Sequence, residues 1–168
     1  MADLKEMLTD RDWLLADGAT GTNYFAMGLQ SGEPPENWNI THPDRVRDLH
    51  RRFIEAGSDI ILTNTFGANR RRLMLHGAAE QTHEINKQAA QHARAEADAA
   101  GKPVVVAGSM GPTGDLLQPL GEVTQEEASA AFLEQARGLA EGGADILWIE
   151  TLSSEEEAAA AVTAAAET

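Results

Sequence analysis

The sequence predicts an α/β fold built on a parallel sheet with helical crossovers, and three observations carry that prediction. Four short apolar runs start at Trp13, Asp59, Pro103 and Asp145, at intervals of 46, 44 and 42 residues. Each run is followed by an extended loop and then a segment with helical character, the alternation that parallel sheets require. The second and fourth runs are entered almost identically, through Ala56-Gly57-Ser58-Asp59-Ile60 and Gly142-Gly143-Ala144-Asp145-Ile146.

The elements follow in order. Trp13-Leu14-Leu15-Ala16 reads as a first buried strand, leaving the sheet through Asp17-Gly18-Ala19-Thr20-Gly21-Thr22. A short helix over 23–29 and a Gly- and Pro-rich loop over 31–39 come next. Thr41-His42-Pro43-Asp44 has the composition of a helix start, with a capping residue, a proline in the first turn and an early acid. That helix reaches Ala56, with Val46, Leu49, Phe53 and Ile54 on its apolar stripe. Asp59 to Thr63 is a second strand, continuously apolar as buried parallel strands are. It ends at Asn64-Thr65-Phe66-Gly67. Helices over 69–75 and 82–100 precede a third strand, Pro103 to Ala107, ending at Gly108-Ser109-Met110-Gly111-Pro112. Thr124 with Glu127 forms a capping box for a helix to Glu141. Asp145 to Ile149 is the fourth strand and ends at Glu150-Thr151. Ser153 with Glu156 reads as another capping box, opening a helix that runs to the end of the chain.

Composition narrows the class of function. The chain has 168 residues, 42% of them hydrophobic, enough for one domain with its own core. No apolar run approaches a membrane span. Met1 to Asp10 lacks the apolar centre of a signal peptide, so the cytoplasm is the expected location. There is no cysteine, which excludes disulfides, thiolate metal ligands and a cysteine nucleophile within the chain. A net charge of −14 repels phosphate backbones, so neither nucleic acid nor a membrane is an expected partner. Arg70, Arg71 and Arg72 read as a solvated helix face. The five histidines show no metal spacing and read as surface or packing residues.

Two architectures fit the repeat: an open doubly wound sheet, or part of a (β/α)8 barrel whose chemistry sits at the carboxyl ends of its strands. Four units make half a barrel, and such a half leaves two sheet edges bare. The chain is therefore expected to be residues 1–168 of a longer barrel, its N-terminal half. In either architecture the four strand ends converge on one rim. They bring together two carboxylates, Asp17 and Glu150, with the hydroxyls of Thr65 and Ser109 and the backbone at Gly18. Two acids pair an ammonium group, and amides and hydroxyls hold a carboxylate, so the rim suits a small zwitterion. The same residues have blander uses: Asp17 and Glu150 as helix caps, Asn64 and Thr65 as turn formers, Phe66 and Trp38 as core.

The four strand-end motifs, in this order, resemble the homocysteine S-methyltransferase family, the bacterial betaine–homocysteine methyltransferases in particular. The spacer from Trp38 through His42-Pro43-Asp44 is similar too, as is the homocysteine module of cobalamin-dependent methionine synthases. The resemblance implies a (β/α)8 barrel that transfers a methyl group from a small donor such as betaine to homocysteine, giving methionine. It implies that Asp17 and Glu150 hold the homocysteine amino group, that Gly18 and Ala19 offer backbone contacts, and that Thr65 and Ser109 line the pocket. It also implies a zinc ion bound by three cysteines from the second half of the barrel, so the ligands are not in this chain and no residue here is assigned a catalytic role. A quaternary ammonium donor calls for aromatic faces. Phe66 and Trp38 are the residues available for it, while Gly67 and Thr151 stand where animal betaine enzymes carry tyrosines. The implied partners are homocysteine, a methyl donor, and either a complementing C-terminal half or a second copy. Two rival readings stand beside this one. One is a non-catalytic dimeric half barrel that binds an amino acid as a sensor. The other, a nucleotide-binding α/β enzyme, lacks any Gly-x-Gly-x-x-Gly or Walker pattern after a strand.

Overall fold

The computed structural model describes residues 3–168. Its sheet contains β1 (Ile60–Leu62), β2 (Val105–Met110) and β3 (Ile146–Ile149), in that order and all parallel. The register pairs Ile61 with Val106 and Gly108 with Leu147. The predicted first strand is reduced to one bridge, Ala16 beside Ile60, supported by the Asp17 N–H donating to the Ile60 carbonyl at 2.9 Å. It is not buried: Trp13 is 66% and Leu15 46% exposed. Only its alternate residues Leu14 and Ala16 pack beside the inward cluster, so a continuous apolar run misjudged the surroundings of an edge segment.

The helices arise where local signals place them. Helix α1 (Leu4–Asp10), which the sequence reading missed, is capped by the Asp3 carboxylate accepting from the Lys5 and Glu6 amides. Helix α2 spans Gly21–Ala26, and a 3-10 turn at Pro35–Asn37 leads into α3 (Trp38–Thr41). Helix α4 (Pro43–Glu55) has proline in its first turn and Asp44 behind it, as predicted, but Thr41 does not cap it. The Thr41 hydroxyl donates instead to the Asn37 carbonyl. Helix α5 (Arg70–Met74) is capped by Asn69, α6 covers Thr82–Ala99, and α7 (Gln125–Glu141) carries the Thr124–Glu127 capping box. Helix α8 (Glu155–Ala166) is capped by Ser154, one residue later than predicted. Glu157, not Glu156, faces back to the cap and is fully buried.

Alternation along the strands sorts side chains between two faces. Outward, Ile61, Val104 and Val106 pack on Ile54 of α4 and Ala93 and Ala97 of α6. Met110 joins Phe132, Ala136 and Leu139 of α7 and the alanines of α8 in the largest apolar cluster. Inward, Ile60, Val105 and Ala107 form a smaller cluster, flanked at one end by Leu4 and Met7 of α1. Helices α6 and α7 approach closely because Gly138 has no side chain: a Cβ there would lie 2.6 Å from the His83 carbonyl oxygen. The polar ends of the inward face, beyond Ala107, are where the site lies.

Candidate active site

Asp17 leaves the edge segment, and its carboxylate turns back to accept from the Leu62 amide of β1 at 2.9 Å. That contact fixes it over the carboxyl end of the sheet. Its pKa is raised to about 6: burial pushes it up, the Leu62 hydrogen bond holds it back, and the charge of Glu150 adds to the rise. The effect of Glu150 on Asp17 follows from position, since both carboxylates line one hollow of about 350 Å³. Glu150 follows β3 directly. Its Oε1 accepts from the Ser109 hydroxyl at 2.7 Å. Thr151, next in the chain, has φ 58°, a left-handed conformation that is strained for a β-branched residue. The chain turns sharply there, just beyond the acid.

Between the two acids lies a hydrogen-bonded web that sequence reasoning only partly found. The Thr65 hydroxyl donates to the Ser109 carbonyl at 2.7 Å. The Thr63 hydroxyl lies 2.6 Å from that of Thr65 and so donates to it, while accepting from the Ser109 amide at 3.0 Å. Gln135, from the middle of α7, donates to the carbonyls of Thr65 and Ser109 at 2.8 and 3.3 Å. Thr65 is therefore a lining residue whose hydroxyl is committed within the protein. Thr63 and Gln135 carried no sequence signal: one reads as a strand residue and the other as part of a helix seventy positions away.

Of the predicted set, Asp17, Gly18, Thr65, Ser109, Glu150 and Phe66 line the hollow. Ala19 does not; its carbonyl accepts from the Asn23 side chain. Trp38 does not either. Its indole is buried against Tyr24 at 5.3 Å and under the Arg45 guanidinium, and its Nε1–H donates to Glu33. Its size and its place beside Val46 and Leu49 make it the centre of a satellite core. Phe66, 39% exposed, supplies the aromatic wall. Gly108 and Ser109 lie within β2, not after it, and Gly108 faces outward onto Leu139. Glu36, unforeseen, is a further carboxylate on the hollow.

The histidines fall where packing puts them. His50 is buried, and burial followed by the nearby His92 lowers its pKa to about 4. His92 bonds the Asn39 carbonyl at 2.8 Å. Arg70 pairs with Glu134 and Glu80, and Arg71 with Asp115, so that face is braced and only partly solvated. Among the described residues no group of three His, Cys, Asp or Glu could hold a metal ion, and there is no cysteine. The residues present do not fit a zinc site. No helix among them is long and apolar enough to cross a membrane.

Relatives bear on this geometry. The chain is 35% identical over 158 residues to the methionine synthase of Mycobacterium tuberculosis, and 36% identical over 163 residues to that of Mycobacterium leprae. Each match takes in 89% of this chain and 13% of the relative. The oxidised form of the homocysteine methyltransferase MmuM from Escherichia coli superposes with a TM-score of 0.83 at 25% identity, over 96% of this chain and 61% of that one. Its metallated form does so with a TM-score of 0.83 at 26% identity, over 62% of that chain. The chain thus spans about an eighth of the methionine synthases and three-fifths of MmuM. Residues 14–168 match the sequence pattern of homocysteine S-methyltransferases, and with that match the chain belongs to the homocysteine S-methyltransferase family.

Proposed function

We propose that this chain carries the amino-acid-binding half of a (β/α)8 homocysteine S-methyltransferase, which makes methionine from homocysteine and a small methyl donor such as betaine. One observation supports this above the others: Asp17 and Glu150, 133 positions apart in the chain, line a single hollow large enough for an amino acid. In this reading the homocysteine ammonium lies between the two carboxylates, its carboxylate meets the backbone at Gly18, and its sulfur points past Ser109. The Ser109 hydroxyl acts through Glu150, which it orients. The Phe66 ring flanks the cationic methyl-bearing centre of the donor. In the transfer the homocysteine thiol first gives up its proton to solvent; the thiolate sulfur then forms a bond to the methyl carbon while the donor's bond to that carbon breaks, its electron pair staying with the donor. Zinc ligands are contributed from outside these residues, and the 168-residue chain alone binds without turning over.

Titration calorimetry with reduced L-homocysteine tests the site. Binding is expected for the chain as it stands, weakened about tenfold or more by Glu150→Gln, which removes a charged partner. Binding that ignores both E150Q and D17N would remove the reading. Methionine formed by this chain alone, from homocysteine and betaine, would remove its last clause.

A further inference from the structure

We infer that Glu36 is a positioning residue for the ligand of the Asp17–Glu150 hollow, acting through the Phe66–Gly67 peptide. The inference rests on the functional reading above, and its own evidence is separate. Glu36 sits on the 3-10 turn at Pro35–Asn37, is 7% exposed, and has no cationic partner among the described residues. Burying an unpaired carboxylate is costly, so stability alone does not favour one there. Its Oε1 accepts from the Gly67 amide at 2.7 Å, a charge-assisted bond within the protein. A Cβ on Gly67 would stand 2.7 Å from that same oxygen, so the contact needs a glycine opposite.

The Phe66 peptide is gripped from the other side as well. Its carbonyl accepts from the Gly111 amide at 3.1 Å. The ring lies so close to Gly111 that a Cβ there would be 2.7 Å away. The turn bearing Glu36 is itself tied to the same loop. Asn64 donates to the Pro35 carbonyl at 2.7 Å, and Asn39 donates to the Asn64 carbonyl at 2.8 Å. The aromatic wall of the hollow is thus held between Glu36 and Gly111, and its placement against the ligand depends on both. A wall displaced by an ångström loses contacts that orientation requires.

The test uses the 168-residue chain, the amide exchange rate of Gly67 by NMR without ligand, and calorimetry with L-methionine and reduced L-homocysteine. Glu36→Ala is expected to speed Gly67 exchange and weaken both ligands by about tenfold. Glu36→Gln keeps an acceptor for Gly67 and is expected to stay within about threefold of the parent in both readouts. Ile54→Val, which trims the core far from the hollow, is expected to lower stability and change neither. Should E36A not fold, Gly67→Ala displaces the same carboxylate and repeats the test. Unchanged Gly67 exchange in E36A would overturn the grip itself. Faster exchange with unchanged affinity would overturn its role for the ligand. E36Q binding as weakly as E36A with Gly67 still protected would place the charge on the ligand directly and overturn positioning. A parent chain that binds neither amino acid would overturn the functional reading, and the ligand half of this inference with it, while the exchange data still decide the grip.

Discussion

Asp17 is held in a state that suits a ligand better than the empty fold. Its folded-state pKa of about 6 lies above the ordinary 3.8. An acid shifted upward favours the fold only while protonated. That contribution is complete below 3.8 and lost as pH rises through about 6. Near neutrality the charged Asp17 therefore destabilises the protein, and Asp17→Asn, still able to accept from Leu62, should stabilise it by about 1 kcal/mol after allowance for partial exposure. The gain should vanish near pH 4, where the parent is itself neutral, and thermal melts at the two pH values check both. The same variant should bind homocysteine about tenfold or more weakly. Affinity in the parent should fall as pH drops through about 6, because protonated Asp17 no longer attracts an ammonium. D17N with lower stability at neutral pH would contradict the placement of this carboxylate.

At the scale of elements, Glu157 joins two strand-end loops that the site depends on. Its carboxylate accepts from the Thr113 amide and hydroxyl at 2.8 and 2.6 Å, and from the Ser153 amide and hydroxyl at 2.9 and 2.8 Å. Burial pushes its pKa up, but the hydrogen bonds from Thr113 and Ser153 prevail and hold it below the usual value. The sign is opposite to that of Asp17: stability is present above the ordinary glutamate range and lost as pH falls through the depressed pKa. Glu157→Ala should cost about 3 kcal/mol, since it strands several buried donors. Urea unfolding near neutral pH measures the loss, which should shrink toward low pH. Because Thr113 follows β2 and Ser153 follows β3, this one side chain couples the loops beyond Ser109 and Glu150. Capping signals placed it only to within one residue, since Ser153-Ser154 offers two successive caps.

The whole molecule carries a net charge of −14 on a sheet with one minimal edge. Its ion pairs link neighbouring helices, as Arg70 links α5 to α7 and Lys87 links α6 to Glu141, but they leave most of the excess negative charge unmatched. Self-repulsion on this scale weakens the compact state and is screened by salt. The melting temperature should therefore rise when sodium chloride is increased from about 20 to about 200 mM, where the Debye length falls below ~10 Å. A flat or falling response would mean that attractive pairs dominate instead. The β3 edge, half-buried along its length, is the other feature legible only at this scale.

The sequence by itself determined the parallel α/β class, the order of the three sheet strands, the Thr124–Glu127 capping box, and the acids Asp17 and Glu150 at the ends of the first and last apolar runs. These are local matters: apolar runs, turn residues and capping pairs act within a few positions. Only the tertiary structure decided which side chains meet. Trp38, between Asn37 and Asn39, went to a satellite core, and Trp13, at the head of an apolar run, went to an open edge. Thr63, Gln135 and Glu36 joined the site from a strand, a helix interior and a proline-rich turn, with nothing in their neighbourhoods to mark them. The reason is physical: burial and hydrogen-bond partnership depend on what lies opposite in space, and no periodicity along the chain encodes the far partner.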